Sequence, residues 1–294
     1  MLENIFNGLS LASILLLAAL GLTFTFGQMG VINMAHGEFI MVGAYMPYVL
    51  QTGILASAFG LAFGLSIPLA FLVAGVLGFL LERLLLNRMH RRPLDTLLLT
   101  VGVSLIMQQG AKSIFGAPNV TVTPPDFLTG NFELLGVTMP KSRLFIMFLC
   151  LATLGLVQAF VAFSAQGRRM RAVTQNRDLA AVSGLKTRRT DGFTFFLGSG
   201  LAGIAGVAVA LIGPVGYQTG TVYIVDTFLV VIMGGLGKLR GAVIAALGIG
   251  MLSSFSVYYT TANLGKAIVF VALIVFLQFR PNGIVSFRTR GLTA

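Results

Sequence analysis

The stretch Phe26–Phe39 gathers the side chains with acid–base or hydrogen-bonding chemistry that this chain places closest together. They are Gln28, Asn33, His36 and Glu38, with Thr25 just before them and Gly27, Gly30 and Gly37 among them. An imidazole and a carboxylate two residues apart could exchange a proton or hold a polar solute. They do not make a zinc-protease helix, which needs Glu directly after the first His and a second His four residues on. The chain's other histidine is His90. A second glycine-rich stretch, Gly234-Gly235-Leu236-Gly237-Lys238-Leu239-Arg240-Gly241, looks at first like a phosphate loop. A Walker A loop needs Ser or Thr after its lysine to hold magnesium, and Leu239 stands there, while Ile232 takes the place of the first glycine. The glycines at 235, 237 and 241 also miss the last spacing of the dinucleotide fingerprint. Nothing forms a catalytic set and no cofactor is implied. The chain is expected to hydrolyse nothing by itself.

The composition says where such residues must sit. Of 294 residues 56% are hydrophobic and 10% charged, with 36 Gly, 24 Phe and no Trp. A soluble domain carries about 25% charged residues, so this chain has too little polar surface to cover a globule in water. Soluble enzyme, disulfide scaffold and disordered chain are excluded. The single Cys150 lies in an apolar run and offers no disulfide or cysteine metal framework. A net charge of +11 could point to nucleic acid, but in a membrane chain basic residues collect in cytoplasmic loops. No nucleic-acid partner is expected; the lipid bilayer is.

Windows of about 20 apolar residues, the length that crosses a bilayer, fall at 5–27, 34–51, 54–81, 97–115, 144–163, 192–213, 223–235, 241–259 and 264–279. They predict an all-α polytopic membrane fold of about eight to ten helices, about nine as a working figure. The seventh window is short and the joint between the first two is irregular, so at least one helix is expected to be broken or re-entrant. Residues 1–294 read as one transmembrane domain. Loops 82–93 and 164–191, the turn near 238 and the tail hold 16 of the 20 Lys and Arg residues. That bias places them in the cytoplasm, with the N-terminus outside and the C-terminus inside. Segment 116–143, rich in proline, becomes the long external loop.

An ionised carboxylate at the bilayer centre costs about 2.5–3.5 kcal/mol on insertion scales, so Glu38 must face a partner, a wet cavity or the interface. Non-helical backbone at that depth is tolerated only where it lines a cavity or is buried in protein. Asn33, His36 and Glu38 are therefore candidates for a solute path or its gate. The plainer reading is that Asn33 and His36 cap a helix and Glu38 sits in its first turn; the two are compatible. With an offset of 204, Met29-Gly30 aligns with Met233-Gly234 and Gly37 with Gly241. This suggests a parallel internal repeat whose second helix break, at Gly234, Gly235, Gly237 and Gly241, would flank one central path with the first. Gly198, Ala202 and Gly206 form a small-residue face suited to close helix packing, within the subunit or between subunits.

The loop Gly167–Arg189 carries a short helical pattern over 176–185. Asn176 is its N-cap, Asp178 lies in its first turn and Gly184 closes it. Leu179, Val182 and Leu185 give it an apolar stripe between basic flanks that include Arg177. Such a helix could lie on anionic lipid or dock into a groove of a soluble partner.

Asp178-Leu179-Ala180-Ala181-Val182-Ser183-Gly184 resembles the acidic-Ala-Ala-x3-Gly coupling loop by which ABC importer permeases engage their ATPase subunits, with Leu179 inserted before the Ala pair. Together with 30–38, the second glycine cluster and the tail Phe279-Arg280-Pro281-Asn282-Gly283, it is similar to the branched-chain amino acid/urea permease family over nearly the whole chain. Residues 95–109, 115–122 and 170–177 look like the urea-uptake members. The resemblance implies an inner-membrane permease subunit for a small polar solute, urea first, with a branched-chain amino acid or short amide as the alternative. It implies a second related permease subunit, two cytoplasmic ATP-binding subunits and a periplasmic solute-binding protein. A self-contained channel or secondary transporter is the competing class. It has no use for a basic coupling loop.

Overall fold

The computed structural model describes residues 1–53, 58–89, 93–134 and 137–285. His90, the arginines Arg91, Arg92, Arg288 and Arg290 counted above, and the start of the third window at 54–57 lie outside them. The chain opens with α1 (Leu2–Met29), α2 (His36–Thr52), α3 (Phe59–Leu84) and α4 (Pro93–Phe115). A 3-10 turn at Asp126–Leu128 and an antiparallel hairpin of β1 (Asn131–Leu134) and β2 (Val137–Pro140) follow. Then come α5 (Lys141–Phe163), α6 (Ala165–Gln175), α7 (Arg177–Val182), α8 (Thr187–Ala210), α9 (Thr219–Gly234), α10 (Leu239–Tyr259) and α11 (Ala262–Phe279).

Seven of these helices are long and apolar enough to cross a membrane. Among the described residues the shorter α9 is apolar as well, and with α2 over the second window each apolar window holds one helix. Two boundaries differ from the sequence reading. The segment 116–143, expected to be external, gives way to α5 at Lys141, after a hairpin that the helix-length windows could not register. The segment 164–191, expected to be cytoplasmic, is largely helical: α6 occupies its first half, and α8 begins at Thr187, inside the basic flank.

The core is organised on α8 and α1, whose spanning windows are 83% and 72% buried. Small residues on α8 decide how closely its neighbours approach. Gly206 lies against α2, where a Cβ would stand 2.0 Å from the Ile40 carbonyl oxygen. Gly198 lies against Gly21 and Thr25 of α1, and Ala202 is wholly buried. The small-residue face is thus used inside the subunit, to bring three backbones together. Helix α4 is the opposite case. Its window is 11% buried, and its main helical neighbour is α2.

Candidate functional site

Gly30 ends α1 in the left-handed region (φ 65), its N–H bonded to the Phe26 carbonyl. The next five residues are not helical, and they run back along α1 rather than out of the bundle. His36 bonds through Nε2 to the carbonyl of Ala18 at 3.0 Å. Ala18 lies eleven residues before the end of α1, about 16 Å along the helix at 1.5 Å per residue. The joint is therefore re-entrant, and α2 starts beside the middle of α1. A carbonyl oxygen only accepts, so Nε2 carries the proton and Nδ1 is left without a partner.

Helix α4 closes this segment with a stripe of polar residues at fourfold spacing. Thr100 accepts from the Met34 N–H at 3.1 Å. Ser104 and the Gln108 amide both donate to Glu38 Oε1 at 2.8 Å, and Gln108 reaches Thr221 of α9 at 3.1 Å. The first turns of α2 and α9 abut at Gly37 and Gly220, where a Cβ on Gly37 would meet the Gly220 carbonyl oxygen at 2.4 Å. Asn33, His36 and Glu38 are all essentially inaccessible. Glu38 Oε2 and both polar atoms of the Asn33 amide have no partner. Buried polar atoms are nearly always bonded to protein or water, so a run of orphans marks a place that water or a polar solute completes.

The structure thus brings Asn33, His36 and Glu38 to one buried seam. Asn33 and His36 do not cap α2 with their side chains, because Ala35 holds the N-cap position without a side-chain bond. Glu38 does lie in the first turn, as expected. Ser104, Gln108 and Thr221 were missed, although the spacing Thr96, Thr100, Ser104, Gln108 is a readable polar stripe.

The second break is built differently. Gly235 (φ 97) and Gly237 (φ 73) turn the chain tightly, and Gly234 presses on Gly241, so α10 starts at once. The tail folds back beneath it, Ile284 donating to the Met233 carbonyl and Val285 to that of Gly234. Both breaks follow helices that run in the same direction, as a parallel repeat requires. The two breaks meet where Gly27 touches Gly237 backbone to backbone.

In the segment between α6 and α8, α7 forms where its caps predict. Asn176 Oδ1 accepts from the Leu179 N–H at 2.9 Å. Gly184 is left-handed (φ 84), and the Leu185 N–H returns to the Ala180 carbonyl at 3.1 Å, the closure that a Schellman end uses. Ala180 faces inward, while Asp178 and Ala181 are exposed. Leu179 and Val182 stand 64% and 87% exposed; Leu185, the third residue of the apolar stripe, is half-buried. The helix is fixed to the bundle by Arg177, whose guanidinium makes a two-point bridge to the buried Asp191 of α8. Gln28, at the end of α1, donates to the same carboxylate at 2.8 Å and accepts from Thr194 at 2.7 Å. Sequence reasoning missed Gln28 and Asp191 in this role, because nothing local ties them to Arg177.

Comparison with known proteins places this architecture. Residues 4–277 match the family described as branched-chain amino acid transport system / permease component. The high-affinity branched-chain amino acid transport system permease protein LivH of Escherichia coli K12 is 27% identical, over 97% of this chain and 95% of its own length. BraD of Pseudomonas aeruginosa, carrying the same description, is 27% identical over the same shares. A probable LivH of Methanocaldococcus jannaschii is 30% identical over 93% of this chain and 89% of its own. No solved structure matches. The match runs through the re-entrant joint, the α4 stripe, α7 and the second break, and the chain therefore belongs to the permease components of branched-chain amino acid transport systems, multi-pass membrane subunits of ABC transporters.

Proposed function

We propose that the chain, as a single transmembrane permease domain over 1–294, forms half of the solute path of an ATP-driven importer in a bacterial inner membrane. The other half is a second, related permease; two cytoplasmic ATP-binding subunits drive the pair, and a periplasmic binding protein feeds it. The N-terminus and segment 116–143 face the periplasm, while the C-terminus and 164–191 face the cytoplasm. The observation that carries this reading is Glu38, a buried carboxylate with one oxygen held by Ser104 and Gln108 and the other unpartnered.

The solute is a branched-chain amino acid. The relatives' names support this, and so does the chemistry: the free Glu38 oxygen suits an ammonium group, while the abutting helix starts of α2 and α9 suit a carboxylate. A second reading, urea or a short amide, draws on the neutral character of the remaining seam, Asn33, Ser104, Gln108 and Thr221. Proteoliposomes holding the assembled importer separate the two readings: labelled leucine should enter on ATP addition, and urea uptake without leucine uptake would reverse the assignment. Glu38→Gln, which keeps the shape and removes the charge, is expected to cut leucine import at least about tenfold, the effect of roughly 1.4 kcal/mol. Wild-type import by this variant would reduce the seam to a helix start.

Helix α7, over Asn176–Leu185, is the element on which the ATPase acts, with Leu179 and Val182 as its exposed apolar contacts and Arg177 as its tether. Gly184→Val places a β-branched side chain at positive φ, a strain of about 1–2 kcal/mol. Membrane insertion should be unchanged, because α7 lies outside the spanning helices. Pull-down of the ATP-binding subunits should weaken, and solute-stimulated ATP turnover should fall. Normal values of both would assign the loop to another role.

A further inference from the structure

Between the inner ends of α1 and α5, α6 and the α9–α10 turn lies a cavity of about 470 Å³. Three cations stand on it, Arg171, Lys238 and Arg240, and among the described residues no carboxylate does. Arg171 also donates to the Ala162 carbonyl at the end of α5 at 3.3 Å, which leaves other N–H groups of its fork for a ligand. The first turn of α10, a 21-residue helix, adds the positive end of its dipole through Leu239 and Arg240. The remaining wall is mixed: Phe24, Val161 and Met170 give it an apolar side, and Thr23, Gln28, Gln158, Thr174 and Gln175 a neutral polar one. The volume is many times the ~30 Å³ of a water molecule. A small inorganic anion would meet Arg171 and Arg240 but leave Phe24, Val161 and Met170 facing water. A fatty chain alone would do the reverse. The pairing of the two suits an amphiphile with a phosphate head.

Its position agrees. The cavity opens at the end of the molecule where most basic residues collect, the end that the inner leaflet surrounds, and that leaflet carries anionic lipid. We propose that this cavity binds one anionic phospholipid of the cytoplasmic leaflet, its phosphate between Arg171 and Arg240 and its first acyl carbons along Phe24, Val161 and Met170. Gln28 lines the same cavity and donates to the Asp191 carboxylate that anchors Arg177. The lipid would therefore bear on the tether of α7 through one shared side chain.

The test uses the detergent-purified importer, stripped of lipid and titrated with short-chain phosphatidylglycerol, phosphatidylcholine or inorganic phosphate, with retention read by native mass spectrometry. One equivalent of phosphatidylglycerol should be retained at least about tenfold more tightly than phosphatidylcholine. Arg171→Gln with Arg240→Gln should remove that preference. Arg168→Gln with Arg189→Gln, an equal loss of charge outside the cavity, should keep it. Three results would overturn the proposal: equal retention of the two lipids, displacement of phosphatidylglycerol by inorganic phosphate at equal concentration, or the same loss in both double variants. If the first double variant does not assemble, the wild-type lipid comparison and the displacement arm still decide.

Discussion

A valine at Gly206 is expected to stop the bundle from assembling rather than to slow transport. The contact it would invade is backbone against backbone: a Cβ there stands 2.0 Å from the Ile40 carbonyl oxygen and 2.5 Å from the Ala44 nitrogen. No side chain can rotate away, so α2 would have to leave α8. Such a shift would also pull His36 from the Ala18 carbonyl and Glu38 from the α4 stripe. Overpacking of a side-chain core costs about 1–3 kcal/mol; here the whole helix must move, and about 3 kcal/mol or more is expected. The measurement is the folded fraction and Tm of the detergent-solubilised subunit by size-exclusion profile and thermal unfolding. Gly102→Val on α4 is the matched control, because a Cβ at Gly102 meets nothing within 4 Å. A monodisperse Gly206→Val protein with near wild-type Tm would show that α2 and α8 are not this close.

Asp191→Asn should act on the other end of the molecule. Asparagine preserves shape and still accepts from Gln28, but Arg177 loses its counter-charge. Breaking a buried pair from one side costs roughly 3–5 kcal/mol, toward the lower figure where one partner is partly in water, and Arg177 is about a third exposed. The bridge is what ties α7 to α8, so α7 should loosen while the spanning helices stay in place. Import is expected to fall at least about tenfold, with wild-type amounts of subunit in the membrane. Arg177→Leu added to Asp191→Asn should do little further harm, since the two share one interaction. Wild-type import by Asp191→Asn, or fully additive losses in the double variant, would remove the bridge from the coupling mechanism.

What the sequence disclosed was local or periodic. Each apolar window became a helix, because the bilayer imposes a length that a single run of residues must meet. The ends of α7 were legible at Asn176 and Gly184 because capping chemistry acts over three or four residues. The α1–α2 joint was legible as irregular from Gly30, but its direction was not: the chain turns back because His36 finds a carbonyl 18 residues earlier. Glu38 announced itself through the expense of a carboxylate in lipid, yet its partners lie on a helix 66 to 70 residues later. The same holds for Asp191 and Gln28, separated by 163 residues. Helix α6 escaped because an eleven-residue basic segment between two spans reads as loop. Its burial of Met170 and Val173 is decided by what packs above it. The nearness of Gly27 to Gly237 shows the same limit, since a repeat pattern tells how segments run and not whether they touch.

The weak burial of α4 has a consequence for how this molecule responds to wetting. A helix packed by apolar surface is held by the exclusion of water, and the hold persists when its neighbours are hydrated. Helix α4 packs apolar residues only at Leu99, Val103, Met107, Ala111 and Phe115, and across the seam at Glu38 it is fastened by Thr100, Ser104 and Gln108. Hydrogen bonds of this kind are worth several kcal/mol in a dry medium and only about 0.5–1.5 kcal/mol once water competes for the same atoms. The polar seam is therefore firm while it is dry and weaker when a few molecules of solvent enter, leaving the apolar contacts of α4 to hold it. If the proposed solute path runs past Glu38, hydration itself would serve as the latch: the event that brings a polar solute there would also loosen the seam that covers it.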